Sequence, residues 1–116
     1  MSTQMGAIQL WTAEAVGTSS AVTSDAVDIG KANALALHLT AITGTTPDVT
    51  FTYSLSNSRA GTYTTPVSPV TIKANAAAAD VLDFAPEAAG FIKIIATNNS
   101  AANIATITAQ LAVQEL

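Results

Sequence analysis

The chain has 116 residues, of which 4 are basic and 8 acidic, and its formal net charge is −4. It has no cysteine, which excludes disulfide-stapled scaffolds and thiolate metal sites, and its acidic balance argues against a nucleic-acid binder. Charged residues make up 10% of the chain, against about 25% in an average soluble domain. A surface made mainly of the uncharged residues Ala, Thr, Ser and Asn favours permanent assembly, because few charges lose their water when an interface forms.

The N-terminal third shows strand-type alternation of apolar and polar residues. The first predicted strand covers 8–13, and residues 1–7 before it have no strand pattern, so we expect them to order on binding. A weaker strand segment covers 21–29. In 34–42 leucine alternates with Ala, His and Thr, and the turn residues on both sides favour a strand despite the helix propensity of Leu and Ala.

The clearest strand is 49–56, where apolar residues alternate with Thr and Ser without a break. The alternation predicts that one face points inward, comprising Val49, Phe51, Tyr53 and Leu55, and that the Thr and Ser residues point outward. A turn over 57–61 follows, and Pro66 and Pro69 beyond it are typical of a sheet edge. A short strand is predicted at 70–72.

The C-terminal part begins with an ambiguous stretch, predicted as a loop with a short helix over 76–79 and then a strand from Val81 to Pro86. The run 91–97 has apolar residues on both faces, which is typical of a central strand. The last strand is predicted at 104–113. About eight short strands result, so the fold class is all-β: an antiparallel β-sandwich, jelly-roll-like. The predicted division is 1–15, an N-terminal arm and first strand, and 16–116, a single β-sandwich domain.

Few residues suggest chemistry. His38 is the sole imidazole, and no nucleophile motif accompanies it, so it is interpreted as a surface or interface residue. The carboxylate pairs Asp25/Asp28 and Asp80/Asp83 suit either a calcium or acid/base site, or charges that keep sheet edges from pairing; the second interpretation is favoured. We therefore predict no catalytic residue, no cofactor, no metal site and no enzyme activity.

Two aromatic residues allow a binding role. Trp11 and Tyr63 suit a small carbohydrate-stacking platform, although Trp11 is favoured to cover one end of the core or to anchor an interface. The predicted interface residues are Met5, Ile8, Trp11 and Tyr63.

No targeting or membrane signal is recognised. The N-terminus lacks the basic and apolar regions of a signal peptide, and the charge-free run 94–114 is interrupted by Asn, Thr and Gln. The chain is therefore expected to be made in the cytoplasm, with no membrane and no nucleic-acid partner.

The overall pattern resembles small β-sandwich virion proteins of tailed bacteriophages, especially capsid decoration (cement) proteins with jelly-roll-like folds. The resemblance covers roughly residues 20–114 and depends on the segments Ser24–Gly30, Val49–Ser56, Ser56–Tyr63 and Phe91–Asn99. In the turn Arg59-Ala60-Gly61 this chain departs from the Ser-x-Asp-Gly turn that is common in such proteins.

The resemblance implies a structural role on the exterior of a phage capsid. The implied partners are the major capsid protein and further copies of the chain, with a trimer favoured. Two other functions stay open: a carbohydrate-binding module or tail/spike adhesin domain, suggested by Trp11 and Tyr63, and a small hydrolase, suggested by the carboxylate pairs and His38. A jelly-roll fold does not by itself decide among them.

Overall fold

The protein is an antiparallel β-sandwich, as predicted. A computed structural model describes residues 4–30, 32–44, 48–65, 72–74, 80–84 and 90–115, and over these ranges it contains nine strands and no helix. The strands in chain order are β1 (Gln4–Val16), β2 (Ala21–Thr23), β3 (Val27–Asp28), β4 (Ala32–Gly44), β5 (Val49–Ser56), β6 (Ile72–Ala74), β7 (Asp80–Phe84), β8 (Phe91–Asn98) and β9 (Ala105–Glu115). In this part of the chain nothing has the form of a membrane-spanning helix.

The strands form two sheets with the topology of a jelly roll. The first sheet has the order β1-β9-β4-β7, and the second has the order β2-β8-β5-β6, with β3 also paired to β8. The pairings β1–β9, β2 and β3 with β8, β4–β7 and β5–β6 are those of one long antiparallel hairpin folded back on itself. Pairing of β9 with β4 and of β8 with β5 rolls this hairpin into two layers. Because β2 and β3 share one position beside β8, the nine strands occupy the eight positions of the predicted fold.

The core lies between the sheets and consists of the inward positions of the alternating strands. On the first sheet β4 and β9 contribute Leu35, Leu37, Leu39, Ile107, Ala109, Leu111 and Val113. On the second sheet β5 and β8 contribute Val49, Phe51, Tyr53, Ile92, Ile94 and Ala96. All of these are buried, so the sequence alternation identified the core faces of β4, β5 and β9.

Strand boundaries agree best in the strongly alternating segments. The predicted strand at 49–56 is confirmed residue for residue, and β8 is an interior strand of its sheet, as predicted. The expectation of no strand before residue 8 is wrong, because β1 begins at Gln4 and pairs with β9 from that residue onward. These residues form a strand because they pair with β9 without a register shift, although apolar and polar residues alternate only weakly in this segment.

Other differences concern the margins of the sheets. Residues 21–29 form two short strands instead of one. Of the strand predicted at 70–72, Ile72 lies in β6, and residues 70 and 71 lie outside the described residues. Ser54 and Ser56, predicted to point outward into solvent, are buried. The possible helix at 76–79, Pro66, Pro69 and Pro86 lie outside the described residues.

Candidate docking surface

The outer face of the first sheet consists of small and amide side chains. Residues that lie opposite each other in antiparallel strands point to the same face, so the register defines rows across β1, β9 and β4. One row is Gln9–Gln110–His38, and the next is Ala7–Ala112–Ala36. Other outward positions of β4 and β9 extend these rows, and we call the uncharged face the ten residues Ala7, Gln9, Ala34, Ala36, His38, Thr106, Thr108, Gln110, Ala112 and Gln114.

None of these ten residues carries a formal charge with histidine neutral. The two rows continue onto the edge strand β7, where Val81 pairs with His38 and Asp83 pairs with Ala36. Among the described strands of this sheet, the rows therefore reach a charged residue at the far edge. The eight positions on β4 and β9 are half-buried, whereas Ala7 and Gln9 on β1 are exposed. A partner that covers this face would displace water from amides, hydroxyls and methyl groups without stripping water from an ion.

Hydrogen bonds hold two of the amide side chains of the uncharged face, those of Gln9 and Gln110. Gln110 Nε2 donates to Gln9 Oε1 at 2.8 Å, and Gln9 Nε2 donates to the carbonyl oxygen of Trp11 at 2.6 Å. The second bond spans a β-bulge between Gln9 and Trp11. Further along, Ala13 has a positive φ of 50°, and its N–H donates to Thr108 Oγ1 at 2.9 Å. These bonds hold the side chains of Gln9 and Gln110 in place before any partner binds, which lowers the entropy that these two side chains lose on docking.

The size of the uncharged face limits what it can bind alone. From Thr106 to Gln114 it extends about 27 Å along the strands, and across three strands it extends about 14 Å. This footprint of about 400 Å² is half of the roughly 800 Å² that each partner buries in a standard stable complex. Tight association through this face therefore requires additional contacts or several copies acting together.

The outer face of the second sheet differs because a loop folds over it and charged residues lie on it. The loop 57–65 returns to β5 through paired backbone hydrogen bonds between Leu55 and Thr64, and Tyr63 OH donates to the carbonyl oxygen of Arg59 at 2.9 Å. The guanidinium of Arg59 lies 5.0 Å from the ring centre of Phe91, and Lys93 Nζ lies 4.4 Å from the ring centre of Tyr63. These two cation–π contacts hold the loop 57–65 on the sheet.

The loop 57–65 explains why Ser56 is buried despite its outward position. The Ser56 hydroxyl donates to the carbonyl oxygen of Ser58 at 2.9 Å, so the turn closes directly over the end of β5. Arg59 also donates from Nη1 to the carbonyl oxygen of Ala26 at 3.0 Å, which ties the loop to the segment between β2 and β3. Strand alternation placed Phe91 and Lys93 on one face, but only the register between β5 and β8 brings Arg59 and Tyr63 to them.

Trp11 is a core residue, as the favoured interpretation of a core-covering ring expected, and it is not exposed as a sugar platform would require. Its side chain is 6% exposed, and its ring centre lies 6.4 Å from that of Phe51 at a tilted angle of 48°. The bulge between Gln9 and Trp11 turns this side chain into the sandwich. Trp11 and Tyr63 lie on different parts of the fold, so they do not form a joint stacking platform for a sugar.

The other predicted interface residues occupy two places. Tyr63 is half-buried beneath its contact with Lys93. Ile8 lies on β1 and is 39% exposed, and Met5 pairs with Gln114 at the start of the same strand. The side chain of Met5 lies outside the described part of the chain.

The residues weighed for chemistry are scattered. His38 lies on the uncharged face between Gln110 and the edge strand β7. Asp28 Oδ1 accepts a hydrogen bond from the N–H of Gly30 at 2.9 Å, and Asp28 belongs to the edge strand β3, where a charge discourages pairing with another sheet. Asp80 and Asp83 lie on the edge strand β7. Among the described residues, no group of three His, Cys, Asp or Glu side chains could hold a metal ion.

Comparisons with known proteins identify the fold and no family. No protein-family model and no curated protein sequence match the chain. A chain in the structure of infectious bursal disease virus Gx strain superposes with a TM-score of 0.59 at 12% sequence identity. The match covers 97% of the present chain and 32% of the viral chain, so the present chain spans about a third of its length. The fold is thus one found in a virus structure.

Two further structures align less closely. One is from Bacillus endospore appendages, described as a family of disulfide-linked pili, with 22% identity, a TM-score of 0.46 and coverage of 98% of this chain and 86% of that one. The other is a family two carbohydrate esterase from Cellvibrio japonicus, with 11% identity, a TM-score of 0.38 and coverage of 99% of this chain and 35% of that one.

Proposed function

We propose that the protein is a structural virion protein that decorates the exterior of a phage capsid and stabilises it by binding between major capsid protein subunits. The observation that carries this proposal is the uncharged face, which has no formal charge across three strands of the first sheet. The fold shared with a chain of a virus structure is consistent with it. The likeness to phage decoration proteins remains a prediction from the sequence pattern.

The chemistry of the uncharged face suits docking onto a protein lattice. Alanine methyl groups permit close approach, and the fixed amides of Gln9 and Gln110 offer hydrogen bonds to backbone groups of a coat subunit. Because few ions are desolvated, binding is expected to depend weakly on salt concentration. The uncharged face thus has the charge pattern expected of a surface that contacts another protein.

The small footprint of the face is compatible with a capsid, where binding sites repeat. The sequence resemblance predicts a homotrimer, and three linked copies would engage three neighbouring coat sites at once. Linked binding raises the effective concentration at the second and third sites and so increases overall affinity without new contacts. Clamping several coat subunits in this way would raise the resistance of the shell to heat and chelators.

The proposal is tested by co-sedimentation of the purified protein with capsids of the phage that encodes it. The informative variant is Ala112→Lys, which places a charge in the centre of the uncharged face. Burying that charge against a coat subunit is expected to weaken binding about tenfold or more. The matched control is Thr97→Lys, at an outward, half-buried position on the interior strand β8 of the second sheet.

We expect the unmodified protein and Thr97→Lys to bind the capsid and to raise its melting temperature. Ala112→Lys should fold with an unchanged circular dichroism spectrum and fail in both respects. If the unmodified protein does not bind, the proposed function is wrong. If Thr97→Lys fails while Ala112→Lys binds, the docking face is the second sheet. The carbohydrate-binding alternative gains nothing from the structure, because Trp11 is buried.

A further inference from the structure

The four sheet edges of the sandwich are not equally protected. Each of the other three edges carries a charged residue: β2 and β3 share one edge, which has Asp28, β6 has Lys73, and β7 has Asp80 and Asp83. A charge on an edge strand discourages it from pairing with another chain. β1, the fourth edge, is 13 residues long, and its only charged residue is Glu14, beyond the first bulge.

The first half of β1 has the features of a strand that accepts a partner. From Gln4 to Gln9 its register with β9 runs without a bulge, and the segment contains neither proline nor charge. Residues 6–9 are exposed. Among the described residues β1 pairs with β9 alone, so one row of its backbone N–H and C=O groups has no strand beside it.

The side chains of this segment are complementary to themselves. Gly6 and Ile8 lie opposite the core residues Val113 and Leu111, so both are on the inner face of the sheet. Ile8 is 39% exposed, whereas a Cβ on Gly6 would have no heavy atom within 4 Å. In an antiparallel pair of two β1 strands centred on Ala7, each Ile8 lies opposite Gly6 of the other copy. The exposed side chain of one copy then fills the empty space of the other.

We infer that the edge of β1 pairs with β1 of a second copy of this chain, antiparallel and centred on Ala7. The pairing joins two four-stranded sheets into one sheet of eight strands across a two-fold axis. It extends the core row from Leu111 through Ile8 to Gly6 and Val113 of the second copy. A second copy fits better than a charged partner strand, since residues 4–9 offer no charge to complement one.

This inference is independent of the proposed function, because it concerns the protein alone in solution. The two-fold pairing predicts an even number of copies: two copies of the 11.7 kDa chain, or six if the edge joins two of the predicted trimers. Light scattering coupled to size exclusion at about 0.1 mM protein measures that mass. Two or six copies support the pairing, and one or three contradict it.

Because the chain has no cysteine, a single introduced cysteine gives a direct test of register. At the centre of an antiparallel pair two Cα atoms lie about 4.5–5.5 Å apart, within the range that a disulfide spans. Ala7→Cys should therefore form a disulfide-linked dimer on mild oxidation. The matched control is Ala21→Cys, exposed on the edge strand β2 of the second sheet, which should stay unlinked.

A second variant tests the pairing without oxidation. Ala7→Lys places two like charges directly opposite each other at the two-fold axis, which should weaken dimerisation about fivefold or more while the monomer stays folded. A dimer that forms no disulfide through position 7, or equal cross-linking through position 21, would overturn the inference. An unmodified protein that stays monomeric at about 0.1 mM would also overturn it.

Discussion

The side chain of Asn98 joins the two sheets at one corner of the sandwich by donating from Nδ2 to the carbonyl oxygen of Val16, at 3.1 Å. Val16 ends β1 of the first sheet, and Asn98 ends β8 of the second. Nδ2 also donates to the carbonyl oxygen of Asn103 at 2.9 Å, and Oδ1 accepts from the N–H of Ser100 at 2.9 Å. Asn98 is 1% exposed, so water cannot reach its amide group. The protein groups named above supply its hydrogen bonds instead.

Replacing Asn98 with alanine should destabilise the protein strongly. Asn98→Ala removes three hydrogen bonds and leaves the carbonyl oxygen of Val16 without its side-chain donor at a buried site, which is expected to cost about 2–3 kcal/mol of unfolding free energy. Chemical denaturation followed by circular dichroism measures the change. The control is Asn99→Ala, which loses side-chain bonds to Asp48 and Thr50 at an exposed site and should cost less than about 1 kcal/mol. Equal losses for the two variants would contradict the account of this corner.

A substitution at Thr52 should stabilise the protein instead. Its Oγ1 is buried, and no hydrogen-bond partner for it exists in the part of the chain that the structure describes. Thr52→Val keeps the shape and the strand preference while removing the unpaired hydroxyl, so we expect a gain of about 1 kcal/mol. The matched change Thr50→Val should lose stability, because Thr50 Oγ1 accepts a hydrogen bond from Asn99 Nδ2 at 2.8 Å. Thermal unfolding of both variants gives the comparison, and a loss of stability in Thr52→Val would be inconsistent with an unpaired hydroxyl.

The loop 57–65 depends on a glycine. A Cβ on Gly61 would collide with the hydroxyl oxygens of Ser58 and Ser56, and Ser56 is tied to the backbone of Ser58 in both directions. Gly61→Ala should therefore loosen the loop and cost about 1–2 kcal/mol. Hydrogen exchange of the backbone amides of Leu55 and Thr64 should accelerate in this variant. Gly17→Ala, where a Cβ meets only ordinary contacts to Ser20, is the control and should leave those rates unchanged. Unaltered exchange in Gly61→Ala would show that the loop is held by other contacts.

The sequence predicts the fold best in segments where apolar and polar residues alternate strictly. In β5 and β9 a strict period of two against a buried face specifies which residues point inward, and these faces were predicted correctly. In the first residues of β1 the pattern is weak, and pairing with β9 determines the strand instead. A bulge between Gln9 and Trp11 turns the Trp11 side chain into the core, and no residue in the local sequence indicates that bulge.

The sequence predicts the composition of the candidate sites but not where these residues lie in the fold. The low charge of the chain indicated a neutral surface, but only the register of β1, β9 and β4 shows that the neutral residues gather on one face. Arg59 and Phe91 are 32 positions apart, and their contact follows from the return of the loop over β5 and β8. Long-range register of this kind cannot be deduced from one sequence, since several pairings satisfy the same alternation.

The central claim is that the uncharged face of the first sheet lies against capsid protein. Cryo-electron microscopy of the virus particle encoded together with this chain tests it most directly. The account predicts density for the sandwich on the outside of the shell, with Gln110 and Ala112 within contact distance of coat subunits and the loop 57–65 directed to solvent. Particles without such density, or with the uncharged face turned to solvent, would contradict it.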